Sequence, residues 1–143
     1  MTDSFKEKTT AIKNIFAPLS IEQRYQKLIE MGRELPPFPE ECKTPDRIVS
    51  GCQSSLYLLC ILSDGKLFFK AYSDALISAG LSAILIQAYS GEDPETILTT
   101  PPDFIKELGI AATLSANRSN GLAHIHLKIK QEALQALCNQ KSI

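Results

Sequence analysis

Two short apolar runs joined by a turn signal most constrain the fold of this chain. Residues 56–62 are too few for a typical buried helix, and residues 67–72 have the composition of a β-strand. The intervening Ser63-Asp64-Gly65-Lys66 is a hairpin turn signal. The sequence therefore predicts an antiparallel hairpin, and residues 47–49 are a candidate for a third, shorter strand.

Helical patterns occupy the region before the hairpin. Apolar residues recur at helical spacing over residues 4–16, and Pro18 closes this short amphipathic helix. Ser20 is placed to cap a second helix, which the proline-rich residues 36–39 end. Residues 40–47 are polar, and we expect them to form an ordered loop that crosses the surface toward Cys52.

A strongly apolar segment follows the hairpin. Ser73 and Asp74 are placed to cap a helix over residues 75 to about 89, whose lack of a polar face predicts a central position. Small residues, including Gly80, would let this helix pack closely against the sheet. Brief helices are predicted from Asp93 and over residues 101 to about 108. A last helix, over residues 120–138, carries an apolar stripe: Leu122, Ile125, Ile129, Ala133, Leu134 and Leu137.

This order of elements predicts an α+β fold. Helices come first, then a small antiparallel sheet, then more helices, and the helices are expected to pack against one face of the sheet. A length of 143 residues suits one domain, residues 1–143, that buries a core without metal or disulfide support.

Charge and composition exclude several classes of partner. The formal net charge is −1, from 15 basic and 16 acidic residues, so nothing favours binding to nucleic acid or to an anionic membrane. No apolar stretch approaches the roughly 20 residues that cross a bilayer. No export signal is recognisable near Met1, so we expect a cytoplasmic protein with reduced cysteines, and protein or small-molecule partners.

One cysteine stands in a position that favours reactivity. Cys52 lies between the polar loop and the first strand, with Gly51 before it and Gln53 and Ser54 after it. Gly51 allows backbone conformations closed to other residues, and Ser54 can hydrogen-bond the main chain or a thiolate. A thiol exposed in such a loop can accept or donate a group in one displacement step, whereas a buried cysteine is inert.

Three separated motifs resemble the SufE family of cysteine desulfurase partners. They are Arg47-Ile-Val-Ser-Gly-Cys-Gln-Ser54 before a hydrophobic strand, Ser73-Asp74-Ala75 followed by Gly80-Leu81, and Leu114-Ser-Ala-Asn-Arg-Ser-Asn-Gly-Leu122. They occur in the family's order, behind a Tyr-containing amphipathic helix at residues 25–32 and a Leu-Pro turn at residues 35–36. The resemblance spans almost the whole chain.

The resemblance implies a fold shared with IscU/NifU-type scaffolds and a role as a sulfur acceptor. Cys52 would take persulfide sulfur from a SufS/CsdA-like, pyridoxal-phosphate-dependent cysteine desulfurase, stimulate that enzyme, and pass the sulfur to a cluster scaffold or another acceptor. It implies no independent enzyme activity and no cofactor or metal of its own. The expected partner surface surrounds Cys52 and includes residues 40–47, with Asp74 and Arg118 near its edge. No cation is adjacent to Cys52 in sequence, and Arg118 is a candidate to favour its thiolate.

Two other kinds of site remain alternatives. An iron-sulfur or metal scaffold of the related fold would need several cysteine ligands, but Cys42, Cys52 and Cys60 lack the short paired spacing of such sites. Cys60 is expected in the core, whereas Cys42 is either a surface residue or a resolving thiol. His124 and His126 project about 200° apart on the predicted last helix, so they cannot both face one metal. A cysteine hydrolase would need a base near the thiol, but both histidines of the chain lie on a helix whose stripe indicates packing or solvent exposure.

Overall fold

The computed structural model describes the backbone of residues 1–50, 55–110 and 116–141, and their side chains except those of residues 116–120 and 140–141. Within these ranges the α-helices are α1 (Asp3–Phe16), α2 (Ile21–Arg33), α3 (Leu76–Tyr89), α4 (Pro94–Thr99) and α5 (Ala116–Lys141). The strands are β1 (Leu56–Ser63) and β2 (Lys66–Ser73). Short 3₁₀ helices span Glu40–Cys42, Pro45–Arg47 and Asp103–Leu108. The predicted α+β class is confirmed, and it matches a solved structure described below.

The hairpin forms as predicted. β1 and β2 pair antiparallel from Leu56↔Ser73 to Ser63↔Lys66. Asp64 and Gly65 both have positive φ, 52° and 76°, as a two-residue type I′ turn requires. The predicted third strand at residues 47–49 is wrong, because Pro45 begins a 3₁₀ turn that includes Arg47 and only Ile48 forms a bridge, to Tyr57.

The first two helices begin and end close to their predicted positions. α1 is capped by the Thr2 side chain, which accepts a hydrogen bond from the Phe5 N–H. α2 begins with a capping box, in which Ser20 and Gln23 exchange side-chain to backbone hydrogen bonds. Both helices contribute apolar residues to the single core cluster, so their amphipathic patterns were informative.

The apolar helix α3 is central, as its composition predicts. Ten of its residues are buried, from Ile77 to Tyr89. Its N-cap is Ala75, which makes no side-chain capping bond, so the prediction that Ser73 and Asp74 cap this helix is wrong. The reason is that β2 continues to Ser73, and the Ser73 hydroxyl instead accepts a hydrogen bond from the Ala75 N–H. Asp74 is exposed at this junction.

Close backbone packing at Gly80 is directed toward α2 and not toward the sheet. A Cβ atom built on Gly80 would lie 2.2 Å from the Leu28 carbonyl oxygen, far inside van der Waals contact. A Cβ atom on Gly32 would lie 2.7 Å from the Gly80 nitrogen. The two glycines therefore allow the backbones of α2 and α3 to touch. The prediction that Gly80 packs closely against the sheet is wrong, because its close neighbour is Leu28 of α2.

The last helix is longer than predicted. α5 begins at Ala116 and ends at Lys141, whereas its apolar pattern indicated residues 120–138. Ile125, Ile129 and Ala133 are buried, but Leu134 is 53% exposed, so its assignment to the apolar stripe is wrong. Leu134 follows Ala133 directly and is therefore turned about 100° around the helix from it.

A buried carboxylate anchors the N-terminal residues of the chain to the turn end of the hairpin. Glu92 is 3% exposed; Lys8 Nζ lies 2.6 Å from its Oε2, and the Thr2 hydroxyl donates to its Oε1. Its backbone carbonyl accepts from the Leu67 N–H at 2.9 Å. Burial by itself opposes ionisation of Glu92, but the hydrogen bonds from Lys8, Thr2 and Ser4 outweigh it and lower the pKa of the carboxyl.

Replacing Glu92 with glutamine should make the free energy of unfolding vary less with pH in the acid range. Because the folded-state pKa is lowered, the charged group adds stability above its ordinary pKa, and that stability is lost as the pH falls through the folded value. Urea unfolding at neutral pH should show a loss of about 1–2 kcal/mol in Glu92→Gln, since the Lys8 partner of the pair remains. The difference from wild type should vanish in acid. Glu7→Gln, at an exposed position of α1, is the control, and an equal loss there would contradict the assignment.

Candidate functional site

The segment that carries Cys52 is anchored on both sides by described residues. The Val49 N–H donates to the Leu56 carbonyl at 2.9 Å, and Ile48 bridges Tyr57. Val49 and Leu56 are both buried in the core, 3% and 0% exposed. Ser50 and Ser55, the next residue on each side, are exposed. We call this pairing of residues 48–50 with residues 55–57 the loop stem.

The loop stem adjoins the junction between β2 and α3. The Asp74 N–H donates to the Ser55 carbonyl at 3.4 Å, which places the exposed Asp74 beside the C-terminal side of the stem. This backbone hydrogen bond therefore supports the predicted proximity of Asp74 to the segment that carries Cys52. Its charge is solvent-exposed, so it is available to a second protein.

Aromatic rings lie next to the stem on the solvent face of the hairpin. Tyr57 has its ring centroid 6.3 Å from that of Phe38 and 6.4 Å from that of Tyr72. Lys43 Nζ lies 3.7 Å from the centroid of the Tyr72 ring and 2.9 Å from the Glu40 carboxylate. The polar connection between α2 and β1 is thus held against the end of the sheet that bears the stem.

Helix α5 lies on the other side of the stem. A cavity of about 120 Å³ separates the helix from the stem and is lined by Ile48, Ser50, His124, Leu127, Lys128 and Gln131. The sequence did not indicate His124 and Lys128 as neighbours of the cysteine segment, although their spacing of four residues puts them on one face of the helix. Nothing in the sequence indicated that this face meets the stem. Hence two polar side chains of α5, His124 and Lys128, line the same cavity as Ser50 of the stem.

The two histidines are in different surroundings, as their spacing predicts. His126 is half-buried and stacks on Tyr89, with centroids 5.9 Å apart and planes 18° apart. Burial, and then the nearby Lys130, lower the pKa of His126. The Tyr89 hydroxyl donates to the Thr100 carbonyl at 2.6 Å. His126 therefore belongs to the core packing, whereas His124 lines the cavity beside Ser50.

The central residues of the predicted site lie outside the described residues. These are Gly51, Cys52, Gln53 and Ser54. Arg118 lies in the first turn of α5, where the backbone alone is described. Their roles therefore remain predictions.

The other three cysteines differ in environment. Cys60 is half-buried in β1, where burial, and then the Glu132 charge, raise the pKa of its thiol to about 12. A thiol with that pKa is almost wholly protonated at neutral pH and is a poor nucleophile. Cys42 is half-buried in the Glu40–Cys42 turn, and Cys138 is exposed on α5. Packing explains Cys60, in keeping with its position in an apolar strand.

Two features of the described residues bear on other classes of function. Among the described residues, no group of three or more His, Cys, Asp or Glu side chains is arranged to hold a metal ion. Cys52 lies outside the described residues, so the alternative function as an iron-sulfur or metal scaffold needs an experimental test. In the same part of the chain, no helix has the length and apolarity needed to span a membrane.

Comparisons with known proteins agree with the motif analysis. Residues 10–133 match the family model described as SufE, Fe-S metabolism associated domain. The Escherichia coli protein named Sulfur acceptor protein CsdE is 37% identical over 114 residues, covering 78% of each chain. An uncharacterized SufE-like protein of Synechocystis is 36% identical over 113 residues, which are 79% of this chain and 71% of that protein.

A solved structure shares the fold. It is the solution structure of a hypothetical protein from Thermus thermophilus, with a TM-score of 0.76 and 25% sequence identity over 92% of this chain and 96% of that one. The family model covers most of the chain, and the relatives match it over more than two thirds of their length. The chain belongs to the SufE family.

Proposed function

We propose that this protein accepts sulfur from a SufS/CsdA-like cysteine desulfurase and stimulates that enzyme. The Cys52 thiolate attacks the terminal sulfur of the persulfide on the desulfurase cysteine. A sulfur–sulfur bond forms at Cys52, the bond between the two enzyme sulfurs breaks, and the enzyme cysteine leaves as a thiolate. The persulfide proton stays on the transferred sulfur, and no net oxidation occurs. The reaction needs no cofactor on this chain, because the desulfurase supplies the activated sulfur.

The observation that supports the proposal most strongly is the SufE match across residues 10–133, which includes position 52. The name of the Escherichia coli relative, Sulfur acceptor protein CsdE, points to the same chemistry. The geometry adds a local argument. Val49 and Leu56 tie both sides of the cysteine segment to the core, which suits transfer because a nucleophile must reach a sulfur on another protein in a defined position.

Sulfur carried on Cys52 would pass to iron-sulfur cluster assembly. The family description, Fe-S metabolism associated domain, supports this direction. The receiving protein would be a cluster scaffold or another acceptor whose thiolate repeats the exchange on the Cys52 persulfide.

Mass spectrometry tests the proposal directly. The protein is mixed with a cysteine desulfurase and free cysteine, and its intact mass is compared with that of a sample lacking the enzyme. We expect a single added sulfur, located by peptide mapping on the peptide that contains Cys52. Sulfur on Cys42 or Cys138 with none on Cys52 would overturn the assignment. Anaerobic incubation with iron and sulfide is the second arm, and a stable cluster that survives desalting and is lost in Cys42→Ser would favour the scaffold function.

Charge reversal at the edge of the proposed partner surface should change desulfurase stimulation. Asp74 adjoins Ser55, and Arg118 is at the start of α5, so Asp74→Lys and Arg118→Glu should each alter the half-saturating concentration roughly severalfold. The effect should weaken at high salt, because exposed charges are screened. Melting temperatures should change little, since Asp74 is exposed. Stimulation assays across a salt series measure this.

Lys130→Glu and Gln135→Lys on α5 are the matched controls. Gln135 is exposed and Lys130 is half-buried beside His126, away from the stem. If both edge reversals leave stimulation unchanged while these substitutions weaken it, the partner binds a different side of the molecule.

A further inference from the structure

One lysine of α5 lines the cavity beside the loop stem and bonds to the chain that precedes the stem. Lys128 Nζ donates to the Asp46 main-chain carbonyl at 2.9 Å. Asp46 belongs to the Pro45–Arg47 turn, two residues before Ile48 of the stem. The Lys128 side chain is 18% exposed and Asp46 is exposed, so this charge-assisted bond lies at the surface of the molecule. It is a direct tie between α5 and the chain that leads to Cys52.

The charged groups around Lys128 come from two elements. On α5, the Glu132 carboxylate lies 3.6 Å from Nζ, and His124 lines the same cavity. On the turn, the hydrogen bond from the Thr44 hydroxyl, and secondarily the Arg47 and Lys128 charges, lower the pKa of the Asp46 carboxyl. Arg47 itself donates to the Thr44 hydroxyl at 3.0 Å. Because groups of both charge signs surround Lys128, its positive charge alone does not set it apart. Its distinctive contribution is the directed hydrogen bond to a main-chain oxygen.

We infer that Lys128 is a positioning residue for sulfur transfer, which holds the Asp46 carbonyl and thereby sets the N-terminal side of the loop stem against α5. The inference rests on the proposed function of Cys52. It assigns Lys128 no contact with the transferred sulfur. Its effect on the chemistry passes through the position of the stem.

The packing around the stem explains why a single bond matters there. Close-packed side chains would hold two elements without a specific bond, but a cavity of about 120 Å³ lies between α5 and the stem. Ser50 is exposed and Ile48 is 41% exposed, so little burial holds this side of the segment. Val49 and Leu56 are buried in the core and joined by their own backbone hydrogen bond, which is separate from the bond that Lys128 makes to Asp46. Losing the lysine should therefore shift the stem without unfolding the protein.

The same helix carries the proposed partner contact at Arg118. α5 runs unbroken from Ala116 to Lys141, so Arg118 and Lys128 belong to one rigid element. A desulfurase that binds the start of α5 would thus meet a loop stem held in a set relation to that helix by Lys128. The rate of a displacement reaction depends strongly on how precisely the reacting groups are placed, and a shift of about 1 Å can lower it by up to 100-fold.

The test compares Lys128→Met, Lys128→Arg and the control Lys130→Met, which removes an equal charge from another face of α5. Sulfur uptake on Cys52 is followed by mass spectrometry over a range of carrier concentrations at fixed desulfurase. We expect Lys128→Met to lower the maximal rate roughly 5- to 20-fold with an unchanged half-saturating concentration. Lys128→Arg should restore most of the rate, because a guanidinium can also donate to a carbonyl. Lys130→Met should behave as wild type. Melting temperatures of all three should stay close to the wild-type value.

Four results would overturn the inference. A wild-type maximal rate in Lys128→Met removes the positioning role, and an altered half-saturating concentration alone makes Lys128 a partner contact. A large fall in melting temperature that arginine does not reverse makes its role structural. In each of these cases wild-type protein still acquires sulfur on Cys52, so the proposed function stands. If the wild-type protein acquires no sulfur on Cys52, the proposed function fails and the inference falls with it.

Discussion

Replacing Cys52 with serine should abolish persulfide formation on this protein and its stimulation of a cysteine desulfurase. A serine hydroxyl has nearly the size of a thiol but is not ionised at neutral pH, so it cannot displace the enzyme sulfur. We expect the rate of sulfur uptake to fall below detection, which is the largest functional effect predicted for this chain. The melting temperature should be unchanged, because the stem is held by Val49 and Leu56. Intact mass and desulfurase turnover measure the outcome.

Cys60→Ser is the matched control and should show the opposite pattern. The Cys60 thiol is half-buried, and burial raises its pKa to about 12, so its loss should leave sulfur transfer nearly intact. A hydroxyl placed there without a partner should cost about 1–3 kcal/mol of stability. Full stimulation retained by Cys52→Ser would be incompatible with the sulfur-acceptor function.

Gly80→Ala should clearly destabilise the protein by forcing apart two helices that touch through their backbones. The new methyl group would overlap the Leu28 carbonyl oxygen, 2.2 Å away, so α2 and α3 must move apart. Overpacking costs about 1–3 kcal/mol or more, and the better helix propensity of alanine returns only about 1 kcal/mol. We expect a net loss near 2 kcal/mol, or about 5–10 °C in melting temperature for a chain of this size.

Gln87→Ala tests whether the effect is specific to the helix contact. Gln87 lies on α3 and is exposed, so an alanine there meets no neighbour and should change stability by less than about 0.5 kcal/mol. Thermal melts of the two variants measure the contrast. A Gly80→Ala protein as stable as wild type would mean that the backbones of α2 and α3 do not touch.

Local signals predicted much of the fold because they act over a few residues. Asp64-Gly65 can adopt the two positive φ angles of a tight turn at low cost, so the hairpin was predictable from sequence alone. Ser20 and Gln23 form a capping box whose partners are three residues apart. The near-absence of polar residues in α3 predicted its burial, because no face of that helix could be left in water.

The errors occurred where distant parts of the chain compete for the same residue. Ser73 and Asp74 have the chemistry of helix caps, but pairing with β1 extends the strand through Ser73 and delays the helix. Gly80 signals close approach without naming the approaching element, which is the Leu28 backbone. Leu134 fits an apolar pattern, yet more than half of its side chain stays open to water. Each outcome depends on tertiary neighbours that periodicity does not contain.

The candidate site divides in the same way. The amino-acid sequence by itself determined the hairpin and the central helix, since these follow from local residue chemistry. Motif order and loop position also make Cys52 the proposed reactive thiol, which stays a prediction. Only the tertiary structure decided that Asp74 meets Ser55 and that Lys128 reaches the Asp46 carbonyl. The physical reason is that these contacts join residues far apart in sequence, 19 and 82 positions respectively, which are brought together by burial of the shared core.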